Sequence, residues 1–200
     1  MLRASVSTIA AFMRTHLPGR RVTIVVADNG STDDTPRIGR ALAAEDPSVE
    51  YLRVPSRGKG IAIRTAWRSF EADAYAFMDV DLSTGLSAFP ALIERLEQGA
   101  DIAVGSRFHP DSLVERGALR RIISGGYRFW LRSVLGVGFS DAPCGFKAVT
   151  KKVVDRVLPD VRDDEWFFDS ELMVRAERRG FVIVEVPVEW KDARDEGRAS

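Results

Sequence analysis

The chain has 200 residues, of which 45% are hydrophobic, and this is enough for one domain with a buried core. Its 29 basic residues balance its 29 acidic residues, so no overall field draws it to nucleic acid. The single cysteine, Cys144, excludes an internal disulfide and a cysteine-based zinc site, and no apolar run reaches the ~20 residues of a membrane-spanning helix. We therefore expect a single cytoplasmic domain over 1–200.

The first half of the chain alternates helices with strands. Apolar spacing and turn signals predict helices over 6–16, 35–44, 59–70 and 87–97, and strands over 22–27, 49–54, 74–78 and 102–105. The β-branched run at 22–27 is typical of a strand buried on both faces. This alternation predicts an α/β fold, with a mainly parallel mixed sheet flanked by helices in a Rossmann-like arrangement. Its ligands are expected at the carboxyl ends of the strands.

The second half is less regular. We expect a long helix over 119–135, a loop over 141–147, helices over 151–158 and 169–179, and a strand over 182–188. The helix over 119–135 carries Arg120 and Arg121 among aromatic side chains. Two interpretations stay open for it: contact with an anionic lipid surface, or a core helix with an exposed basic face.

Two acids, Asp79 and Asp81, follow the predicted strand over 74–78. Alternate residues of a strand point to the same side, so both carboxylates are expected to project together from its end. Oxygen ligands of this kind suit Mg²⁺ or Mn²⁺ when a substrate phosphate completes the coordination shell. The alternative is a solvated turn with two surface acids, because an Asp-x-Asp sequence is common by chance.

Two further loops precede predicted helices. The first contains Asp28, Asn29, Gly30 and Ser31, and such polar loops present backbone N–H groups to a ligand. The second contains Arg57, Gly58 and Lys59, where glycine and two cations favour a diphosphate. Ordinary turn chemistry is the alternative for the first loop, and a solvated basic turn is the alternative for the second.

Six motifs in chain order resemble those of family 2 glycosyltransferases with the GT-A fold. They are Asp-Asn-Gly-Ser-Thr-Asp-Asp-Thr at 28–35, Arg-Gly-Lys-Gly at 57–60, Asp-Val-Asp at 79–81, Gly-Ser-Arg at 105–107, Cys-Gly-Phe-Lys at 144–147 and Trp-Phe-Phe-Asp-Ser-Glu-Leu at 166–172. The likeness is to the branch of dolichyl-phosphate β-glucosyltransferases and polyprenyl-phosphate mannosyltransferases. It runs through nearly the whole chain.

The resemblance implies an inverting transfer of a hexose, with glucose favoured over mannose, from a UDP-sugar or GDP-sugar to a polyprenyl phosphate. It implies a nucleotide-sugar-binding half at 1–107 and an acceptor-binding half at 108–200, with peripheral contact at the cytoplasmic membrane face. Asp79 and Asp81 would hold Mg²⁺ or Mn²⁺ on the diphosphate, with Asp79 also in the nucleotide-sugar site. Arg107 and Lys147 would act with them in catalysis, and the acceptor site would comprise Arg107, Arg120, Arg121, Lys147, Asp169 and Glu171.

The sequence also departs from the family pattern. The family's first strand is expected to be missing before residue 6, which predicts an unpaired strand edge. The usual Asp-Thr-Gln-Cys reads Asp-Ala-Pro-Cys at 141–144, where proline removes a backbone donor, and the chain stops soon after Trp190. Two other functions remain open. One is transfer to a soluble acceptor, with Asp141, Asp169 or Glu171 as general base; the other is a non-catalytic nucleotide-binding relative.

Overall fold

The structure of the chain, a computed structural model, describes residues 1–115, 125–126 and 133–191. Two structural units are distinguished. The first unit is formed by Met1–Ala72 and Arg162–Phe168, and the second by Asp73–Val161 and the described residues from Asp169 onward. The α/β class predicted from the alternation of elements is confirmed.

The first unit contains three helices and a two-stranded parallel sheet. The helices are α1 (Leu2–His16), α2 (Thr35–Glu45) and α3 (Lys59–Ser69), and the strands are β1 (Ile24–Asn29) and β2 (Val49–Val54). Ile24 lies opposite Val49 and Asn29 opposite Val54, so the carboxyl ends of β1 and β2 lie side by side. Within the described ranges β1 pairs with β2 alone.

The first unit has a buried cluster with one side chain from each of α1, β1, α2 and β2. Val6, Val26, Leu42 and Val49 are buried together. In β1 only Val26 and Asp28 are buried and their neighbours are half-buried, so the prediction of a strand buried on both faces is wrong. Burial here follows the two-residue alternation of side chains along the strand.

The second unit contains a four-stranded mixed sheet and a small two-stranded sheet. Its strands are β3 (Ala74–Met78), β4 (Ile102–Ser106), β5 (Leu113–Glu115), β6 (Phe146–Thr150), β7 (Ile183–Pro187) and β8 (Glu189–Lys191). The large sheet has the order β3-β6-β4-β7, and β5 pairs with β8. The helices are α4 (Phe89–Glu97), α5 (Lys151–Arg156) and α6 (Phe168–Arg178), whose first residue belongs to the first unit.

Strands β5, β6 and β8 were not predicted from the sequence, and the longest of them, β6, lies inside the large sheet. It runs antiparallel to both β3 and β4, with Phe77 opposite Lys147 and Val104 opposite Lys147. A lysine as the second of five residues argues against a central strand, because a buried ammonium needs a partner. That partner, Asp169, lies 22 residues further along the chain.

The other predicted elements lie within a few residues of the observed ones. The helix expected over 87–97 begins with a 3₁₀ turn at Leu86–Ala88, and the one expected over 151–158 is α5 followed by a 3₁₀ turn at Leu158–Asp160. Most of the helix predicted over 119–135 falls outside the described residues. No described helix is long and apolar enough to cross a membrane.

Candidate active site

Asp28, the penultimate residue of β1, is a buried carboxylate that accepts three hydrogen bonds within its own unit. Its side chain accepts hydrogen bonds from Tyr51 Oη at 2.6 Å, from the Ser31 N–H at 2.9 Å and from the Arg53 guanidinium. Tyr51 and Arg53 stand two residues apart on β2, so both project to the same side of the sheet. These two partners were not predicted, since each is an ordinary strand residue in sequence.

The protonation state of Asp28 follows from these contacts. Burial raises the pKa of this carboxyl, but the bonds from Tyr51, Ser31 and Arg53 outweigh burial and lower it to about 2. Three donors occupy three of the roughly four acceptor positions of the carboxylate. Direct contact of Asp28 with a base or ribose therefore stays a prediction. In the structure its carboxylate holds Arg53, whose side chain is 40% exposed, at the loop.

The two predicted nucleotide loops of the first unit lie against each other. Gly30 has φ +80°, and a Cβ there would lie 3.2 Å from Pro55 O and 3.4 Å from Arg57 Cγ. Only glycine adopts this backbone conformation readily with a neighbour so close. The loop after β1 and the turn after β2 therefore form one surface, which carries the exposed Arg57.

The turn before α3 is built for a close backbone approach. Gly58 has φ +131°, and a Cβ there would lie 2.3 Å from Asp164 O. That carbonyl accepts the Ile61 N–H at 3.1 Å, in the first turn of α3. One backbone N–H at the amino-terminal end of α3 is therefore already bonded. A diphosphate at this end would be bound by the remaining N–H groups and by the side chains of Arg57 and Lys59.

Asp79 and Asp81 lie in a turn that directly follows β3. The Leu82 N–H donates to Asp79 O at 3.1 Å, and Leu82 has φ +51°, so the chain has already left the extended conformation. The argument from strand alternation therefore does not apply to this pair. Both acids are exposed, as a metal site open to substrate requires.

The position of the Asp79 carboxylate is fixed by Gly145. The Asp79 N–H donates to Gly145 O at 3.1 Å, and a Cβ on Gly145 would lie 1.9 Å from Asp79 Oδ2. The carboxylate thus occupies the space of the missing side chain. Asp81 Oδ1 accepts the Ser83 N–H at 3.0 Å, which orients the second acid.

These two acids fit a hard divalent cation. Their donors are carboxylate oxygens, and the described part of the chain has no group of three or more His, Cys, Asp or Glu side chains that could enclose an ion. Mg²⁺ typically binds through one or two carboxylates and completes its shell with water and substrate phosphates. An exposed pair of acids matches that mode better than a closed structural site.

Arg107, after β4, is paired with the fully buried Asp141. Arg107 Nε donates to Asp141 Oδ2 at 2.8 Å and Nη2 donates to Oδ1 at 2.7 Å. Burial acts to lower the pKa of Arg107, but the bonds to Asp141 outweigh it and raise this pKa. The two bonds use two of five guanidinium N–H donors, and 17% of the side chain is exposed.

A short strand connects Arg107 to the turn that carries the acids. The Trp190 ring of β8 lies 5.6 Å from the Arg107 guanidinium carbon. The same strand is bonded to the turn, since the Gly85 N–H donates to Glu189 O at 2.8 Å and the Lys191 N–H donates to Ser83 O at 2.9 Å. Arg107 and Asp81 thus belong to one connected part of the second unit.

Lys147 is a buried structural cation. Its ammonium donates to Asp169 Oδ1 at 3.0 Å and to Cys144 O, and it lies 5.2 Å from the centre of the Phe77 ring. The side chains of Lys147 and Asp169 are 0% and 2% exposed. The ammonium and the carboxylate face each other rather than solvent, and direct contact of Lys147 and Asp169 with the acceptor stays a prediction.

The remaining acceptor predictions divide between two outcomes. Glu171 is half-buried and accepts a hydrogen bond from Arg175 Nε at 2.7 Å, one turn along α6. Arg120 and Arg121 lie outside the described residues. Cys144 is 1% exposed, and burial raises the pKa of its thiol to about 12, which agrees with a packed thiol rather than a nucleophile.

A further functional partner was missed in sequence. Glu185, on β7, accepts bonds from the N–H groups of Ser140 and Asp141 at 2.9 and 3.0 Å. It thereby holds the loop that supplies Asp141 to Arg107. The only feature of the sequence that could have indicated this role is the presence of an acid inside a predicted apolar strand.

The family model for glycosyl transferase family 2 matches residues 1–158. The chain therefore belongs to this family. It is 35% identical over 196 residues to glycosyltransferase AglD of Haloferax volcanii, covering 97% of this chain and 31% of that protein. It is 31% identical to a dolichyl-phosphate beta-glucosyltransferase of Trichomonas vaginalis, covering 86% of this chain and 53% of the relative.

Two further comparisons agree with these. The chain is 31% identical to polyprenol monophosphomannose synthase of Mycolicibacterium smegmatis, covering 90% of this chain and 70% of that protein. A crystal structure of glucosyl-3-phosphoglycerate synthase from Mycobacterium tuberculosis with Mn²⁺, UDP-glucose and phosphoglyceric acid has a TM-score of 0.60 at 20% identity, covering 86% of this chain and 62% of the other. That likeness confirms the GT-A fold. The chain thus spans only about a third to a half of the first two relatives.

Proposed function

We propose that the protein transfers a hexose from a nucleoside-diphosphate sugar to a polyprenyl phosphate. The observation that carries this proposal is the exposed pair Asp79 and Asp81, with Asp79 seated on Gly145, in a member of a family whose relatives are named for this transfer. Asp79 and Asp81 would hold Mg²⁺ or Mn²⁺. A bound divalent ion neutralises charge that develops on the leaving diphosphate.

In this proposal the first unit binds the nucleotide part of the donor. The surface formed by Asn29, Gly30, Ser31 and the Arg57–Lys59 turn carries the donor contacts, while Asp28 holds Arg53 beside them. UDP is favoured over GDP, and glucose over mannose, through the glucosyl-type segment at 166–172. A beta-glucosyltransferase among the relatives supports this choice.

Acceptor binding is assigned to the second unit. Arg107 has guanidinium N–H groups beyond the two that bind Asp141, and these can donate to a lipid phosphate. A phosphate monoester has a second pKa near ~6 and is largely dianionic at neutral pH. Such an acceptor needs positioning by a cation more than it needs a general base.

The choice of a phosphate acceptor is supported by the state of the acids. Asp141 and Asp169 are buried in ion pairs with Arg107 and Lys147, and Glu171 is paired with Arg175. A soluble hydroxyl acceptor requires a base within hydrogen-bond reach of its proton. Both fully buried acids are engaged elsewhere, so transfer to a soluble acceptor is the less favoured function. Peripheral membrane contact would follow from a lipid acceptor.

The test is direct transfer of labelled sugar. The purified chain is incubated with Mn²⁺, dolichyl phosphate in detergent, and UDP-[¹⁴C]glucose or GDP-[¹⁴C]mannose, and the organic phase is counted. We expect label in the lipid extract with one donor, and background counts for the Asp79→Asn/Asp81→Asn variant. Label that stays in the aqueous phase, with protein that binds the donor, would contradict the lipid acceptor.

A further inference from the structure

A short strap, Arg162–Phe168, lies across the amino-terminal end of α3 in the first unit. Arg64 fixes it by donating to Asp164 Oδ1 at 2.7 Å and to Asp163 O at 3.0 Å. A Cβ on Gly60 would lie 2.6 Å from Asp163 O and 2.8 Å from Phe168 Cβ. The strap is therefore held in one place by side-chain bonds and by a close backbone approach.

The strap buries one aromatic side chain and exposes another. Phe168 is 0% exposed and packs edge-on against Trp67, with the ring centres 6.5 Å apart. Trp166, two residues earlier, is 75% exposed. A tryptophan loses a large favourable burial term when it stays in water. Packing against the described residues therefore does not account for the position of Trp166.

The exposed ring lies beside the cations assigned to the donor diphosphate. Lys59 Nζ lies 5.6 Å from the centre of the Trp166 ring, and Arg57 is exposed in the same turn. In a nucleoside-diphosphate sugar, the anomeric carbon is bonded to an oxygen of the second phosphate. A group next to the phosphate-binding cations is therefore placed to meet the hexose.

We propose that the Trp166 ring is the platform on which the donor hexose stacks. The C–H bonds of a pyranose face carry partial positive charge, and the face of an aromatic ring is negative. This inference rests on the proposed function, because it takes the donor diphosphate to lie on Arg57 and Lys59. It adds a specificity-determining residue that reads the sugar rather than the nucleotide.

The charges around the ring favour a sugar over an anionic bilayer. Asp163, Asp164 and Glu165 immediately precede Trp166, and Asp164 is paired with Arg64. Such a run of acids would be repelled by anionic lipid. An uncharged hexose meets no such penalty, and acids near the ring are able to accept hydrogen bonds from its hydroxyl groups.

Isothermal titration calorimetry with Mn²⁺ tests the platform. Wild-type protein is titrated with UDP and UDP-glucose, and with GDP and GDP-mannose. The variants are Trp166→Ala, Trp166→Phe and the matched control Phe167→Ala, whose side chain is 43% exposed. We expect Trp166→Ala to weaken binding of the nucleotide sugar roughly 3- to 10-fold and to leave binding of the free nucleotide unchanged. Trp166→Phe is expected to restore much of the loss, and Phe167→Ala to resemble wild type.

Three outcomes would overturn the platform. The first is a Trp166→Ala variant that binds UDP and UDP-glucose as tightly as wild type does. The second is a variant that loses the same factor in affinity for UDP and for UDP-glucose. Normal sugar-nucleotide binding with reduced binding to phosphatidylglycerol vesicles would assign Trp166 to a membrane instead. If wild-type protein binds none of the four nucleotides, the proposed function fails first and the platform with it.

Discussion

At the scale of single residues, the side chains that look most functional in sequence are of two kinds. Asp79 and Asp81 stay exposed, whereas Asp28 and Lys147 are used inside the protein. The difference is whether a donor or acceptor of the right charge lies within reach in the folded chain. An unpaired buried charge costs several kcal/mol, so each buried one here has a partner.

Substitution of Asp28 tests one internal pair through its pH dependence. The carboxyl has a pKa of about 2 in the folded protein against 3.8 in the reference state. A lowered pKa stabilises the fold above about pH 4, and this stabilisation is lost as the pH falls from about 4 to about 2. We expect Asp28→Asn to lower the free energy of unfolding by about 1–2 kcal/mol at pH 7, since Arg53 remains partly solvated.

Urea unfolding of wild type and Asp28→Asn at pH 7, 4 and 2.5 measures this effect. The difference between the two proteins should shrink as the pH falls. Glu50→Gln, an exposed acid on β2, is the matched control and should behave like wild type. A difference that does not depend on pH would contradict a charge-based role for Asp28.

Substitution of Gly145 tests the seat of Asp79. A Cβ at this position would lie 1.9 Å from Asp79 Oδ2, so Gly145→Ala must displace the carboxylate. A shift of ~1 Å at a reacting centre is able to cost about 100-fold in rate. We expect a loss of that order in kcat with Mn²⁺, and a melting temperature close to wild type because the carboxylate is exposed.

Gly85→Ala is the control for Gly145→Ala. Its nearest neighbours would be 3.5 Å from the new Cβ, which is ordinary contact, and it lies in the turn after Asp81. It should retain activity. Equal activities of the two variants in a sugar-transfer assay would mean that activity does not depend on the position of the Asp79 carboxylate against Gly145.

At the scale of elements, β6 is held between β3 and β4 and is joined to α6 by one ion pair. Lys147 in β6 and Asp169 at the start of α6 are both fully buried. Apolar runs predicted β3 over Ala74–Met78 with the correct bounds, but they did not predict β6. Local pattern identifies a strand when its buried residues are apolar, and it fails when a buried cation is neutralised from a distant element.

Removal of one partner of this pair should be far more costly than removal of both. Lys147→Met leaves the Asp169 carboxylate buried, and we expect a loss of about 3–5 kcal/mol in unfolding free energy. The double variant Lys147→Met/Asp169→Leu should recover most of that loss. Chemical denaturation of the single and double variants gives the coupling energy directly.

Lys151→Met is the control for this cycle. Lys151 pairs with Asp155 one turn along α5, where both side chains are about half exposed, and such pairs contribute ~0.5 kcal/mol or less. A Lys147→Met variant as stable as Lys151→Met would show that the buried pair has no structural role. In that case the ammonium would again be available for the acceptor.

At the scale of the whole molecule, balanced charge and an open pair of acids predict a protein that binds its metal together with its substrate. Two exposed carboxylates offer few ligands, so Mn²⁺ alone should raise the melting temperature little. UDP with Mn²⁺ at about 100 times its Kd should raise it by about 5–10 °C. Removal of Mn²⁺ with EDTA should reverse most of that shift.

Differential scanning fluorimetry of wild type, Asp79→Asn/Asp81→Asn and the control Asp155→Asn checks this coupling. The metal-dependent part of the shift should vanish only in the double variant. A large shift from Mn²⁺ alone would indicate a more enclosed metal site than the described residues form. An unchanged response of the double variant would place the metal elsewhere.

The sequence by itself determined the order of most helices and strands, the positions of the special glycines, and the place of Asp79 and Asp81 just beyond β3. These features depend on neighbours in the chain, where apolar periodicity and turn chemistry act. Only the tertiary structure decided which charged side chains form ion pairs inside the protein. The partners of Lys147, Asp28 and Arg107, namely Asp169, Arg53 and Asp141, lie 22, 25 and 34 residues away in the chain. The tertiary structure also decided that Trp166 is exposed on the strap, because the burial of a side chain depends on whether a distant segment packs over it.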